Sequence, residues 1–237
     1  MISSAFEDLA QALRMLLEAN YRAHGENLLF VDRAEAVGNI DIAFNSVANS
    51  FHSVFDAIEK ELGSHPVDWY QEPELTTILA IRNARHHNKA HKIRHLYNYH
   101  VQSCEKPQDR KRYVLVDFPA QEEGADTFEV HLSWSDLDMF LSLPTKENKL
   151  RPQVVQAIRS YLDAEEFKKH ATKHGVPIAN VFFNVVPLIV NAAAKLVPHI
   201  KSHIRAASSE AQTFSQLFAA MPPADTHKHA VDTIVLF

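Results

Sequence analysis

The sequence predicts a mostly α-helical protein, a helical bundle with one inserted β-hairpin. Two observations favour helix. Only five of the 237 residues are glycine, and apolar residues recur at spacings of three and four along most of the chain. A third observation favours the hairpin, because over about 113–134 the apolar residues run together or alternate with polar ones, as they do in strands.

Three helices are predicted in the first half of the chain. Their apolar stripes cover about 4–23, 35–62 and 73–101. Ser3 or Ser4 can cap the start of the first helix, and Gly25 and Gly63 are placed to end the first and the second. Pro73 is tolerated in the first turn of the third helix, which runs on through the most basic part of the sequence.

Two strands follow these helices. Residues 113–118 are rich in β-branched and aromatic side chains, and over 128–134 apolar and polar side chains alternate. The stretch 119–126 between them contains Pro, Gly and acidic residues, which are typical of turns. We expect the two strands to pair with each other as a hairpin with one face covered.

Helices resume in the second half. A capping-box-like start at 135–138 predicts a short helix, Pro152 opens a longer one that ends before Gly175, and 176–200 is predicted as a pair of core helices with a polar seam. The expected segments are a helical core over 1–110, the hairpin insertion over 111–134, further helices packed on that core over 135–223, and a tail over 224–237. The apolar end of the tail is expected to dock as a strand or to bind a partner.

The sequence favours neither a membrane nor an oxidising compartment. Three prolines interrupt the apolar stretch 176–200, and its polar residues recur on one side at helical spacing, so we expect a core segment and no membrane span. The single cysteine, Cys104, excludes an intramolecular disulfide and fits a reducing cytosol. We therefore expect a cytoplasmic protein.

Positive charge is concentrated in one stretch of the third predicted helix and the residues after it. Residues 82–112 contain nine Lys and Arg against two acids, with five His besides. This stretch carries +7, so the rest of the chain carries −12 to give the total of −5. A basic patch in an otherwise acidic protein attracts a polyanion, and nucleic acid is the commonest one.

Arg82 and His86 fall inside the stripe of the third helix that is predicted to be buried. The other members of that stripe are Leu75, Ile78, Leu79, Ile93 and Tyr97. An inward guanidinium is costly unless it is paired or lines a water-filled cleft. We therefore expect either an ion pair with an acid of the second helix, namely Asp56, Glu59 or Glu61, or a cleft where Arg82 meets a phosphate.

Residues Arg82 to His87 spell R-N-x-x-x-H, and this motif, after two predicted helices, resembles the signature of HEPN-domain ribonucleases. The resemblance implies a helical bundle that forms a homodimer through the motif-bearing helix, so that two motifs face one RNA-binding cleft. It also implies cleavage of single-stranded RNA without a metal or other cofactor. A role in toxin–antitoxin systems or phage defence follows from the same resemblance, with an antitoxin or regulatory protein as a further partner.

Each motif residue has a role that the resemblance implies. Arg82 stabilises the charge that builds on phosphorus, since its planar fork reaches two phosphate oxygens, and His87 transfers protons. Asn83 orients the histidine or the phosphate. His86 is the alternative histidine, because it shares a helix face with Arg82, whereas side chains five residues apart point about 140° away from each other. The residues expected to contact RNA phosphates are Arg85, Lys89, Lys92 and Arg94.

Two other functions stay open from the sequence. One is a helical protein that binds RNA or a partner without cleaving it and uses the basic helix for affinity. The other is a metalloprotein, since His87, His91 and His95 lie at successive four-residue steps along one helix face. The neighbouring cations oppose a dication, so we expect no metal site.

Overall fold

The computed structural model describes residues 1–64, 66–86, 93–104, 110–119 and 128–236, with the backbone alone at His86. The chain forms two compact units. The first unit combines Met1–Arg82 with Ile189–Pro223, and the second combines Asn83–Leu188 with Ala224–Phe237. Each unit draws on two separate stretches of the sequence.

The prediction of a mostly α-helical fold is confirmed. The helices are α1 (Ile2–His24), α2 (Leu28–Val31), α3 (Arg33–Leu62), α4 (Pro73–His86), α5 (Leu96–Ser103), α6 (Trp134–Leu141), α7 (Thr145–Asn148), α8 (Pro152–Tyr161), α9 (Ala164–His174), α10 (Val186–Ile200) and α11 (Ser209–Ala220). The strands are β1 (Lys111–Asp117), β2 (His131–Ser133), β3 (Val181–Asn184) and β4 (Ala230–Leu236). Within the described residues, no helix combines the length and the apolar character needed to cross a membrane.

The first unit is built on α1 and α3, which pack against each other along most of their length. Phe6 and Leu9 from α1, and Phe44 and Phe51 from α3, are at most 1% exposed. The apolar stripes that predicted these helices therefore form the core, and burial of such side chains stabilises the unit by about 1.5–3 kcal/mol each. Gly63 ends α3 in the left-handed conformation, with φ 69°.

The predicted serine caps of the first helix are wrong. The residue before α1 is Met1, and no side chain caps the helix. Ser3 lies within α1, and its hydroxyl donates a hydrogen bond to the carbonyl oxygen of Arg205 at 3.0 Å. The Ser3 hydroxyl therefore makes a tertiary contact and does not cap the helix.

The helix predicted from Pro73 toward Val101 is not continuous. Helix α4 ends at His86 and α5 begins at Leu96, and the described residues 93–95 between them are not helical. The backbone N–H of Arg94 donates to Oδ2 of Asp136 at 3.0 Å, and its carbonyl accepts from the N–H of Ser133 at 3.0 Å. Because both backbone groups of Arg94 bond outside the segment, they are not available to a helix.

The sheet of the second unit has four strands in the order β2-β3-β1-β4. Strand β3 pairs in parallel with β1 and antiparallel with β2, while β4 pairs antiparallel with β1. Both stretches predicted as strands within 113–134 belong to this sheet, but the predicted hairpin between them is wrong, because β3 lies between β1 and β2. All four residues of β3 are buried, which suits a central position.

Strand β3 also corrects the prediction for residues 176–200. Its residues Val181 to Asn184 were expected in a helix pair, whereas the stretch contains a short 3-10 helix (Ile178–Asn180), the strand and then α10. Periodicity does not separate a short buried strand from a buried helix, and the Val-Phe-Phe sequence favours strand. The strand option for the tail is confirmed, since β4 pairs with β1 along seven residues.

Helices cover both faces of this sheet. On one face Leu96 and Tyr99 of α5 pack with Tyr113 and Phe182. Phe183, the next residue along β3, points to the other face. There Phe167 of α9 lies 6.3 Å from Phe183 and 4.4 Å from the stacked ring of Trp134, measured between ring centroids.

Candidate functional site

Arg82 lies near the carboxyl end of α4, on the helix predicted to carry it. The preceding apolar residues of its stripe, Leu75, Ile78 and Leu79, are at most 5% exposed, as predicted. Arg82 itself is only half-buried. The aliphatic part of the Arg82 side chain therefore lies next to the buried stripe, while its guanidinium reaches the border between the core and solvent.

A side chain of α3 holds this guanidinium. Nε of Arg82 donates a hydrogen bond of 3.4 Å to Oδ1 of Asn49. One of the acids expected to pair with Arg82, Glu61, instead accepts from the backbone N–H of Ile2 at 2.9 Å. The hydrogen bond to Asn49 orients the Arg82 guanidinium against α3.

His52 lies one helical turn after Asn49 on the same side of α3. Its ring stacks on Phe55 with 5.9 Å between centroids, and its Nε2 lies 4.0 Å from a carboxylate oxygen of Asp56. Nδ1 is buried and has no hydrogen-bond partner among the described residues. Burial lowers the pKa of His52 below its ordinary value, and the positive charge of Arg82 lowers it further, while Asp56 opposes both.

These four residues, Asn49, His52, Asp56 and Arg82, form what we term the Arg82 cluster. They all belong to the first unit. The sequence predicted Arg82 for this site, and Asp56 only as an ion-pair candidate, whereas Asn49 and His52 were not predicted to belong to it. The missed signal is a polar stripe beside the apolar stripe of α3, in which Asn45, Asn49, His52 and Asp56 recur at steps of four, three and four.

The other residues of the motif stretch are only partly described. Asn83 is half-buried, and Nη1 of Arg85 donates to the carbonyl oxygen of Ile93 at 3.2 Å. His87, Lys89 and Lys92 lie outside the described residues, as does the side chain of His86. The geometry of the proposed histidine therefore stays a prediction.

Arg94 has a structural role in the second unit. Its Nε donates to Oδ2 of Asp136 at 2.8 Å and its Nη2 to Oδ1 at 2.6 Å, and its guanidinium carbon lies 4.5 Å from the centre of the Tyr99 ring. The hydrogen bonds to Asp136 raise the pKa of Arg94, although burial opposes them. Because this bidentate pair engages the fork that a phosphate would need, we do not propose Arg94 as an RNA contact.

The metal hypothesis gains no support from the part of the chain that the structure describes. His95 is 2% exposed and stacks on Tyr97, while His87 and His91 lie outside the described residues. Among the described residues no three His, Cys, Asp or Glu side chains are grouped so that they could hold a metal ion.

The Arg82 cluster thus brings together a fixed guanidinium, an imidazole and a carboxylate. A guanidinium binds phosphate oxygens, and an imidazole exchanges protons near neutral pH. No family model, curated protein or solved structure shows a significant match to this chain.

Proposed function

We propose that this chain is a metal-independent endoribonuclease of the HEPN type that cleaves single-stranded RNA in the cytoplasm. The observation that carries the proposal is the half-buried guanidinium of Arg82, oriented by the amide of Asn49 at the end of the motif-bearing helix. The R-N-x-x-x-H motif at Arg82, Asn83 and His87 supports it. By the same resemblance the cleft is shared by two copies of the chain, in a toxin–antitoxin or phage-defence role with an antitoxin or regulator.

The chemistry of such a cleavage matches the groups that the motif supplies. The ribose 2′-oxygen attacks the adjacent phosphorus, the bond to the 5′-oxygen breaks, and a 2′,3′-cyclic phosphate forms. Negative charge builds on the non-bridging oxygens, and the planar fork of Arg82 can contact two of them at once. His87 accepts the proton of the 2′-hydroxyl as the new bond forms and gives a proton to the leaving 5′-oxygen, and Asn83 orients the histidine or the phosphate.

The basic stretch supplies affinity rather than chemistry. Arg85, Lys89 and Lys92 carry charge that attracts the RNA backbone without distinguishing its sequence. Binding is therefore expected to weaken steeply as salt concentration rises. A non-catalytic RNA-binding protein would share that salt dependence, so the decisive measurement is cleavage.

The test compares the wild type with Arg82→Ala and His87→Ala on single-stranded RNA in the presence of EDTA. Wild type should release fragments ending in a 2′,3′-cyclic phosphate. Each variant should lose about 10²-fold or more in rate while still binding RNA, because removing one charge-stabilising or proton-transferring group costs that much. Arg151→Ala removes an exposed cation outside the basic stretch and serves as the matched control.

Two results would overturn the proposal. One is a wild type that binds RNA but never cuts it without added metal, which would favour the binding protein. The other is an Arg82→Ala variant that cuts as fast as the Arg151→Ala control. Thermal melting of each variant shows whether a lost rate reflects lost folding.

A further inference from the structure

Two adjacent apolar side chains of the first unit are almost fully open to solvent. Phe30 is 84% exposed and Val31 is 81% exposed, and no large apolar side chain among the described residues is more exposed than Phe30. We propose that a second copy of this chain binds here, with Phe30 of each copy entering a groove between α1 and α3 of the other. This contact lies on elements other than the motif-bearing helix and does not depend on the proposed ribonuclease function.

Helix α2 holds these two side chains in place. Leu29 is 7% exposed, so it anchors the four-residue helix to the core. The backbone N–H groups of Phe30 and Val31 donate to the carbonyl oxygen of Asn27 at 2.9 and 3.3 Å, and Asp32, the next residue, caps the start of α3. Because the turn is bonded at both ends, its side chains lose little conformational freedom when they bind, which favours association.

The groove lies between the same two helices that α2 connects. Its volume is about 200 Å³, which accommodates one aromatic side chain. Its apolar lining residues are Met15, Ala19, Ile42 and Ala43. Met15 is 44% exposed and Ile42 is 65% exposed, so their apolar surfaces are accessible to an entering ring. A pocket of this kind is the usual site for an aromatic anchor at an interface.

The charges of the groove and the placement of both parts suit a second copy. Glu18 and Arg22 also line the groove, and their side chains form an ion pair of 3.0 Å. Because these charges cancel, two identical faces can approach each other without the repulsion that a strongly charged face produces. Phe30 and the groove belong to one unit, so a twofold axis makes both contacts at once, which is the arrangement of most homodimers.

The exposed apolar area is what a stable dimer needs. Phe30, Val31, Ile42 and Met15 together present about 500 Å² of surface to solvent in each copy, an area at which apolar patches often mark interaction sites. A standard interface buries about 800 Å² per partner, and in homodimers about 65% of it is apolar, which is again about 500 Å². These four side chains therefore supply the apolar part of such an interface.

The first experiment measures the mass of the full-length chain by sedimentation equilibrium as its concentration is varied. The wild type should associate reversibly. Phe30→Ser and Ile42→Ser should each raise the dissociation constant by about 30-fold or more, because a central apolar anchor contributes that much. Tyr70→Ser changes an aromatic residue that is 50% exposed outside α1, α2 and α3, and this matched control should keep the wild-type constant. Thermal melting confirms that each variant is folded.

A second experiment detects the reciprocal contact itself. Phe30→Cys and Ile42→Cys, each in a Cys104→Ser background, are mixed, oxidised and separated on a non-reducing gel. The mixture should form a disulfide-linked pair with one copy of each variant, several-fold faster than Phe30→Cys mixed with Tyr70→Cys. The reason is that position 30 of one copy approaches position 42 of the other and does not approach position 70.

Three results would overturn the inference. One is a wild type that stays monomeric at every concentration. Another is an association constant that neither Phe30→Ser nor Ile42→Ser changes, since a different surface, such as the motif-bearing helix, then joins the copies. The third is a disulfide at position 70 that forms as fast as the one at position 42. If the motif-bearing helix also joins two copies, the two serine variants reduce a tetramer to a dimer, so the mass still halves.

Discussion

The ion pair between Arg94 and Asp136 predicts a large loss of stability when the arginine is removed. The Asp136 side chain is fully buried, while that of Arg94 is 25% exposed. Arg94→Ala removes two charge-assisted hydrogen bonds and leaves the carboxylate with the backbone N–H of residue 94 and no cation. Breaking a buried pair from one side costs about 3–5 kcal/mol, and because Arg94 is partly exposed we expect about 3 kcal/mol, at the lower end of that range.

Urea denaturation followed by the fluorescence of Trp134 measures this loss. Trp134 belongs to the second unit, as both members of the pair do, and its ring stacks on Phe167. Arg112→Ala is the control, since it removes an exposed arginine and should change the free energy of unfolding by no more than about 0.5 kcal/mol. An Arg94→Ala midpoint that matches the control would refute the reasoning, as the carboxylate would then not depend on its cation.

Two further predictions concern the stability of each unit. Gly63→Ala should destabilise the first unit by about 1 kcal/mol, because φ at this helix end is 69°. Gly38→Ala, in the interior of α3 where an added methyl group meets no atom within 4 Å, should stabilise it by about 0.5–1 kcal/mol; equal effects in urea denaturation followed by Trp69 would contradict the argument. In the second unit, Nε2 of His170 lies 3.1 Å from Nδ1 of His229, and burial lowers the pKa of both. The unfolded chain therefore binds more protons as pH falls below the ordinary histidine value of 6.5, so the unfolding midpoint should be lower near pH 5.5 than near pH 7.5, and His170→Gln should flatten that slope.

Local patterns predicted the elements that local contacts determine. The apolar stripe of α3 and Gly63, which directly follows the helix, predicted its bounds nearly to the residue, because the periodicity and the stop signal are both local in sequence. The pairing of strands was not predictable in this way. Strand β3 lies more than sixty residues from β1 in sequence, and nothing within 113–134 indicates that another strand separates its two strands.

The same distinction between local patterns and contacts with distant residues applies to the candidate site. A helical wheel placed Arg82 on the inner stripe, and the structure puts it at the border of the core, where a charge can be held. Its partner Asn49 comes from another helix, and no pattern within α4 indicates which residue of α3 meets it. The break at Arg94 likewise depends on Asp136, forty-two residues further along the chain.

The interleaved order of the two units has a consequence for synthesis on the ribosome. The first unit needs residues up to Pro223, and β1 gains its antiparallel neighbour only when Ala230–Leu236 have been made. Vectorial folding, in which an early portion of a nascent chain matures while later portions are still being translated, is therefore closed to both units. Until Ala230–Leu236 have been made, one edge of β1 lacks this partner, and the emerging polypeptide depends on chaperones or on rapid synthesis of β4 to avoid pairing with other chains.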